Sequence, residues 1–251
     1  MLAARDYLWS MQIQGQGAVV TGASRGLGRA LAEALAAKGA RVALVAREAG
    51  PLADVVAQIR GTGGIAHAVA GDVGDKQAAH RIAGQVQGLV GDVGIAIHNA
   101  STLGPVPLRL LLDTECEDLA AVLETNLIGP FRLTKIFAGA MALRGAGTIV
   151  HLSSDAAVEP YPRWGAYGVS KAAQDHLSRI LAAELAETGV RVLAIDPGEM
   201  DTKMHADAMP EADRATLQRP AEVAAKIVAM IESSAVNSGA RLSVPSWTVT
   251  P

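Results

Sequence analysis

Ala18-Val19-Val20-Thr21-Gly22-Ala23-Ser24-Arg25-Gly26-Leu27-Gly28 passes from an apolar run of strand length into a glycine-rich turn, and the following Arg29-Ala30-Leu31-Ala32-Glu33 is helical in character. Glycines at 22, 26 and 28 permit a tight turn and let backbone N–H groups and a helix N-terminus come close to a pyrophosphate. The spacing is not GxGxxG, because the gap between the first two glycines is longer. Taken alone, such a turn is either a phosphate cradle or a purely structural bend.

The same strand-then-helix rhythm continues in both directions. Ala18–Thr21, Val42–Ala46, Ile65–Ala70, Val93–His98, Thr148–Ser153, Val190–Ile195 and Arg241–Val244 read as strands, with helical segments expected at 26–38, 51–60, 75–90, 115–142, 165–188 and 220–233. Most of the strands are continuously apolar, as strands covered on both faces are. Pro51 suits a first helical turn, Lys38-Gly39 reads as a cation and a C′ glycine, and Asp75 is placed to cap the third helix. Alternation of this kind predicts a doubly wound α/β domain: a parallel sheet with helices on both faces. Residues 1–14 read as a short N-terminal extension and 15–251 as a single domain. Residues 199–219 form a polar, Met-containing insertion of the sort that borders a ligand crevice.

Composition narrows the function classes. The chain has 251 residues, 50% hydrophobic and 19% charged, with 26 Gly, 11 Pro and one Cys, which excludes a disordered, fibrous or disulfide-built protein. A net charge of −3 without a long basic run gives no footprint for nucleic acid or an anionic membrane, so small-molecule partners are expected. Cys116 has no intramolecular partner. Arg5 and Asp6 interrupt the start, and no stretch offers about 20 apolar residues free of Gly or charge. The expectation is a cytoplasmic protein. The histidines lack ligand spacing, and no metal site is expected.

Tyr167-Gly168-Val169-Ser170-Lys171 opens the fifth helical segment, and Ser153-Ser154 ends the strand before it. Positions i and i+4 share a helix face, so Tyr167 and Lys171 can reach one ligand, and a nearby cation is expected to lower the phenol pKa from about 10. The bland reading of the pair is a buried Tyr and a solvated Lys.

Thr21 to Gly28, Asp72-Val73, His98-Asn99-Ala100-Ser101, Asn126, Ser154 with Tyr167 and Lys171, and Pro197-Gly198 with Thr202 form an ordered set. Together they resemble the short-chain dehydrogenase/reductase family, over nearly the whole chain. The stretch Asp196 to Met204 is similar to members near the sepiapterin and carbonyl reductases. The resemblance implies a Rossmann-type fold and a catalytic set of Asn126, Ser154, Tyr167 and Lys171. Tyr167 would exchange a proton with the substrate oxygen, and Ser154, with Ser153 as the adjacent alternative, would hydrogen-bond that oxygen. Lys171 would hold the nicotinamide ribose and depress the Tyr167 pKa, while Asn126 would support a proton relay to it.

The resemblance also implies cofactor contacts from Gly22, Ser24, Arg25, Gly26, Leu27, Gly28, Arg47, Asp72, Val73, Asn99, Ala100, Tyr167, Lys171, Pro197, Gly198 and Thr202. Asp72 would face the adenine, its plain alternative being a loop cap. His98 and Ser101 depart from the family's Asn-Asn-Ala-Gly. Ala46 stands where NAD-preferring relatives often carry Asp, while Arg25 and Arg47 can clamp a 2′-phosphate, so NADP(H) is expected over NAD(H). The alternative is two solvated arginines.

The reaction implied is hydride transfer between nicotinamide and a carbonyl or secondary alcohol. A cofactor-binding sensor or regulator, and an epimerase or dehydratase, are the competing readings of the same fold. The resemblance places Leu103, Tyr161, Trp164, Met200, Met204 and Met209 around the nicotinamide as an apolar, adaptable substrate wall, the alternative being that they pack the insertion onto the domain or bury a subunit contact. The segments 115–142 and 165–188 carry more apolar positions than one sheet-facing stripe requires; the resemblance implies that they pair across a two-fold axis in a homodimer or homotetramer, the alternative being a wide buried face within the monomer.

Overall fold

The computed structural model describes residues 12–248. Seven strands, β1 (Gly17–Thr21), β2 (Arg41–Ala46), β3 (Ile65–Ala70), β4 (Val93–His98), β5 (Gly147–Leu152), β6 (Val190–Asp196) and β7 (Arg241–Ser243), form one parallel sheet. Its order, β3-β2-β1-β4-β5-β6-β7, reverses between β1 and β4. That reversal opens a crevice at the C-terminal strand ends, where ligands of open α/β sheets bind. The α-helices are α1 (Gly26–Ala37), α2 (Ala49–Gly61), α3 (Ala78–Val90), α4 (Cys116–Leu123), α5 (Gly129–Arg144), α6 (Gly165–Glu184), α7 (Lys203–Ala208) and α8 (Pro220–Glu232).

Two cores explain the continuously apolar strands. Val20, Leu44, Ile97, Val150 and Ile195 point to one face, beneath α1, α2 and α8; Val19, Ala43, Ala96, Ile149 and Val192 point to the other, beneath α3, α5 and α6. Neighbouring residues of a strand face opposite ways, so both must be apolar when both faces are covered.

Three local features depart from the expected elements. The helix expected over 115–142 is interrupted by a π-turn at Glu124–Ile128, which places Asn126 in its widened backbone. The third helix starts at Ala78, after Asp75 has used its carboxylate to accept from Gln77 N at 2.8 Å. The 199–219 insertion contains α7 and is closed by a bridge between Met200 and Gln218. Of the proposed N-terminal extension, residues 1–11 lie outside the described residues, while Ile13 is buried against the α1 core. Among the described residues, no helix is long and apolar enough to cross a membrane.

Candidate active site

The glycine-rich turn is locked to the sheet by side-chain hydrogen bonds. The Thr21 hydroxyl oxygen accepts from Asn99 N and Ala100 N, both at 3.0 Å, and Asn99 Nδ2 donates to the carbonyls of Thr21 and Gly22 at 3.0 and 3.2 Å. Gly22 adopts φ +67°, and a Cβ there would lie 2.8 Å from the Ala100 Cα. Only glycine fits both the left-handed backbone and this close approach. Arg25 precedes α1 without capping it, so the first N–H groups of the helix lack a side-chain acceptor. A Cβ at Gly26 would meet Thr202 at 3.5 Å, so these two residues flank one groove.

Parallel pairing of Thr21 with Val45 brings Arg25 and Arg47 out on adjacent strand ends, and both are exposed. Ser24 is half-buried beside them, while Leu27 and Val73 are buried. Asp72 is exposed, and its Oδ1 accepts from Gly74 N at 2.9 Å, the geometry of its plain alternative as a loop cap.

At the other end of the crevice, Tyr167 and Lys171 are both buried, which excludes the solvated lysine of the bland reading. Lys171 Nζ lies 5.5 Å from the Tyr167 ring centroid and donates to the Leu152 carbonyl at 2.6 Å and to Gln174 Oε1 at 3.3 Å. The expected lowering of the phenol pKa is corrected here. Burial pushes Tyr167 up to about 12, and the Asp155 and Asp196 charges add to the rise; hydrogen bonding by Ser154 and Ser101 opposes it. Desolvation likewise brings Lys171 down to about 8, against the pull of Asp175. Two groups removed from water each favour their neutral forms.

Asn126 is fully buried and does not reach the open cavity. Its side chain pairs with both backbone groups of Thr102 at 2.8 and 2.9 Å and with Ser170 Oγ at 2.9 Å. Its carbonyl instead accepts from Gln174 Nε2 at 2.9 Å, so Gln174 links Lys171 to Asn126 directly. Sequence reasoning passed over Gln174, although it lies three residues after Lys171 on one helix face. It also passed over Asp155, whose Oδ1 accepts from Ser154 Oγ at 2.8 Å and whose Oδ2 accepts from the Tyr161 hydroxyl at 3.0 Å. Arg241, on distant β7, gave no sequence signal.

His98, the departure from the family pattern, stacks on His151 with ring centroids 5.0 Å apart, and Thr134 Oγ1 bridges the two Nε2 atoms at 3.0 and 3.3 Å. Desolvation brings His98 down to about 4 and His151 well below its ordinary value. This pair fills the α5 side of the sheet and does not touch the cavity.

That cavity, about 270 Å³, is lined by Ser154 and Tyr167 together with Pro197, Gly198 and Thr202. Leu103, Tyr161, Trp164, Met200, Met204 and Met209 all line it, as the sequence reading expected. Ser153 is buried at its floor. The crevice therefore joins a glycine-lined turn to a chamber carrying a hydroxyl pair, an arrangement suited to holding a dinucleotide against a polarised oxygen.

Residues 16–213 match the family model described as short chain dehydrogenase. A short chain dehydrogenase of Pseudocercospora fijiensis is 37% identical over 200 residues, covering 78% of this chain and 63% of the relative. A very-long-chain 3-oxoacyl-CoA reductase of Podospora anserina is 37% identical over 181 residues, covering 71% and 53%. The chain thus spans between half and two thirds of the length of these relatives. A short chain dehydrogenase from Burkholderia cenocepacia, solved with NADP, superposes with a TM-score of 0.81 at 29% identity, covering 93% of this chain and 97% of that one. Agreement of the motif order, the sheet topology and the matched span makes this chain a member of the short-chain dehydrogenase family.

Proposed function

We propose that the protein is an NADP(H)-preferring oxidoreductase that interconverts a small, partly apolar carbonyl compound and its secondary alcohol. It works as one domain over residues 15–251, in the cytoplasm, as a homodimer or homotetramer; Val169 and Ile180, exposed on α6, supply apolar surface for such an assembly. The observation that carries the reading is the meeting of Ser154 and Tyr167 with Pro197, Gly198 and Thr202 around one cavity.

The residues present fit the cofactor. A glycine cradle at Gly22, Gly26 and Gly28, an uncapped α1 N-terminus and two exposed arginines suit a pyrophosphate and a 2′-phosphate. The Burkholderia relative's NADP supports the same choice. When bound, the nicotinamide supplies or accepts the hydride.

The chain's own residues manage the oxygen and its proton. Tyr167, with its pKa raised to about 12, holds a proton at neutral pH and donates it to the carbonyl oxygen as negative charge develops there. Ser154 donates a second hydrogen bond to the same oxygen after its hydroxyl turns from Asp155. Lys171 is fixed by Leu152 and Gln174 with its ammonium toward the Tyr167 ring, where it holds the ribose and favours the phenolate left after proton transfer. The protonated phenol is the form that reduction consumes. A panel of aryl and alkyl ketones, followed by nicotinamide absorbance with NADPH and NADH, tests this. Turnover of apolar ketones with NADPH is expected, and inactivity across the panel with intact cofactor binding contradicts it.

A further inference from the structure

The cavity carries a charge pattern that proton transfer does not require. Asp155, Asp196 and Glu199 line it, no Lys or Arg does, and most of the remaining wall is Leu, Met, Trp, Tyr, Ala and Pro. Asp155 is held by neutral donors: Ser154 Oγ and Ala156 N at 2.8 Å, and the Tyr161 hydroxyl at 3.0 Å. Among the described residues it has no ion-pair partner. Asp196 accepts from Gly198 N at 3.0 Å and lies 3.6 Å from Arg241 Nη2, but the same guanidinium pairs with Asp175 at 2.8 Å. One cation is therefore shared between two carboxylates. Glu199 Oε1 faces His205 Nε2 at 3.8 Å at the exposed rim. Both cavity phenols register this field: Tyr161 is raised chiefly by its hydrogen bond to Asp155 and by that charge, and Tyr167 by Asp155 and Asp196 after burial itself.

An anionic substrate in this chamber would meet three carboxylates with partial compensation, and Asp155 stands next to Ser154, which binds the reacting oxygen. A neutral one meets the same wall without net charge repulsion. An ammonium group gains an acceptor. Resting on the oxidoreductase reading above, we propose that the cavity takes neutral or amine-bearing carbonyl compounds and rejects those carrying a carboxylate or phosphate near the reacting carbon, with Asp155 setting the preference.

Three acetophenones differing only in a para methyl, aminomethyl or carboxylate group test this, each measured for kcat/KM with NADPH and for calorimetric Kd with the protein alone. The carboxylate is expected to trail the other two by about tenfold in both measurements, a discount for Asp155 being partly in water. Asp155→Asn keeps the shape and removes the charge; it is expected to narrow the methyl-to-carboxylate ratio by about threefold and to weaken the aminomethyl compound. Glu199→Gln, at the rim, shifts the ratio the same way by less. Equal or tighter carboxylate binding, a ratio unmoved in Asp155→Asn, or no binding by any of the three overturns the proposal. If the Kd order holds and none of the three is reduced, the oxidoreductase reading fails while the charge selection stands.

Discussion

Arg241 Nη2 donates to the Ser154 carbonyl oxygen at 2.8 Å, while its Nε donates to Asp175 Oδ2 at the same distance. The last strand of the sheet thereby positions the serine proposed to bind the substrate oxygen. Arg241→Met frees that backbone and leaves the buried Asp175 uncompensated. Steady-state kinetics should show kcat falling about 10–100-fold with the KM for NADPH unchanged, and thermal unfolding should show a loss of about 1–3 kcal/mol. A change confined to KM would contradict the positioning role.

Tyr167→Phe removes the transferable proton and little volume. Turnover is expected to drop by about 10²–10⁴-fold, with the Kd for NADPH within about twofold of the wild type on these same grounds. Retention of a tenth of the activity, in conditions where chemistry limits the rate, would remove Tyr167 from its assigned role.

Lys171 carries a conflict between stability and function. Its folded pKa, lowered to about 8 from 10.5 by burial, means that the unfolded chain binds the extra proton more readily between those values. Stability present above pH 10.5 is lost as pH falls toward 8, so near neutrality the buried ammonium is destabilising by about 3 kcal/mol. Lys171→Met removes that penalty but strands the Leu152 and Gln174 acceptors. The net expectation is a gain of about 1–2 kcal/mol, a Tm rise of ~2–6 °C, together with loss of turnover. A fall in Tm at pH 7 would contradict it.

The His98 and His151 pair makes the opposite edge of the pH range sensitive. Both are buried neutral, with His98 near 4 and His151 well below its ordinary value. Stability fully present above the unfolded value of 6.5 is lost as pH falls to about 4, by about 3 kcal/mol for His98 alone. His98→Asn should flatten urea midpoints measured between pH 6.5 and 4; an unchanged slope would remove His98 as the cause.

Cofactor choice is read through Arg25 and Arg47. Alanine at both positions should lower kcat/KM with NADPH by about 10–100-fold and leave NADH nearly unaffected, since each charge-assisted contact to the phosphate contributes roughly 1.5–3 kcal/mol in part-exposed sites at most. An unchanged NADPH-to-NADH ratio would identify them as solvated surface arginines.

The legible parts of this molecule were those fixed by local chemistry. Gly22 announces the turn because no other residue tolerates φ +67° with the Ala100 backbone so near. The central strands showed themselves because they bury both faces, as Val19 and Val20 do on opposite cores. What stayed hidden depends on chain-distant approach. Arg241 reaches Ser154 across 87 positions, and no periodicity encodes that contact. The pKa of Tyr167 was misjudged for the same reason: spacing places Lys171 nearby, but only the fold shows how little water remains around both. The π-turn at Asn126 did carry a mark that the spacing argument passed over: Pro130 has no N–H to give the Asn126 carbonyl, which accepts from Gln174 instead.

Hydride transfer assisted by Tyr167 leaves a trace that a deuterium label can follow. The protein is given NADPH deuterated at the nicotinamide C4 and an apolar aryl ketone, and the product is examined by mass spectrometry and NMR. Deuterium on the carbinol carbon, lost along with turnover in Tyr167→Phe, is the expected result. Cofactor binding with no labelled alcohol, or an isomerised product with the label retained on the nicotinamide, would contradict the account and point to a sensor or an epimerase instead.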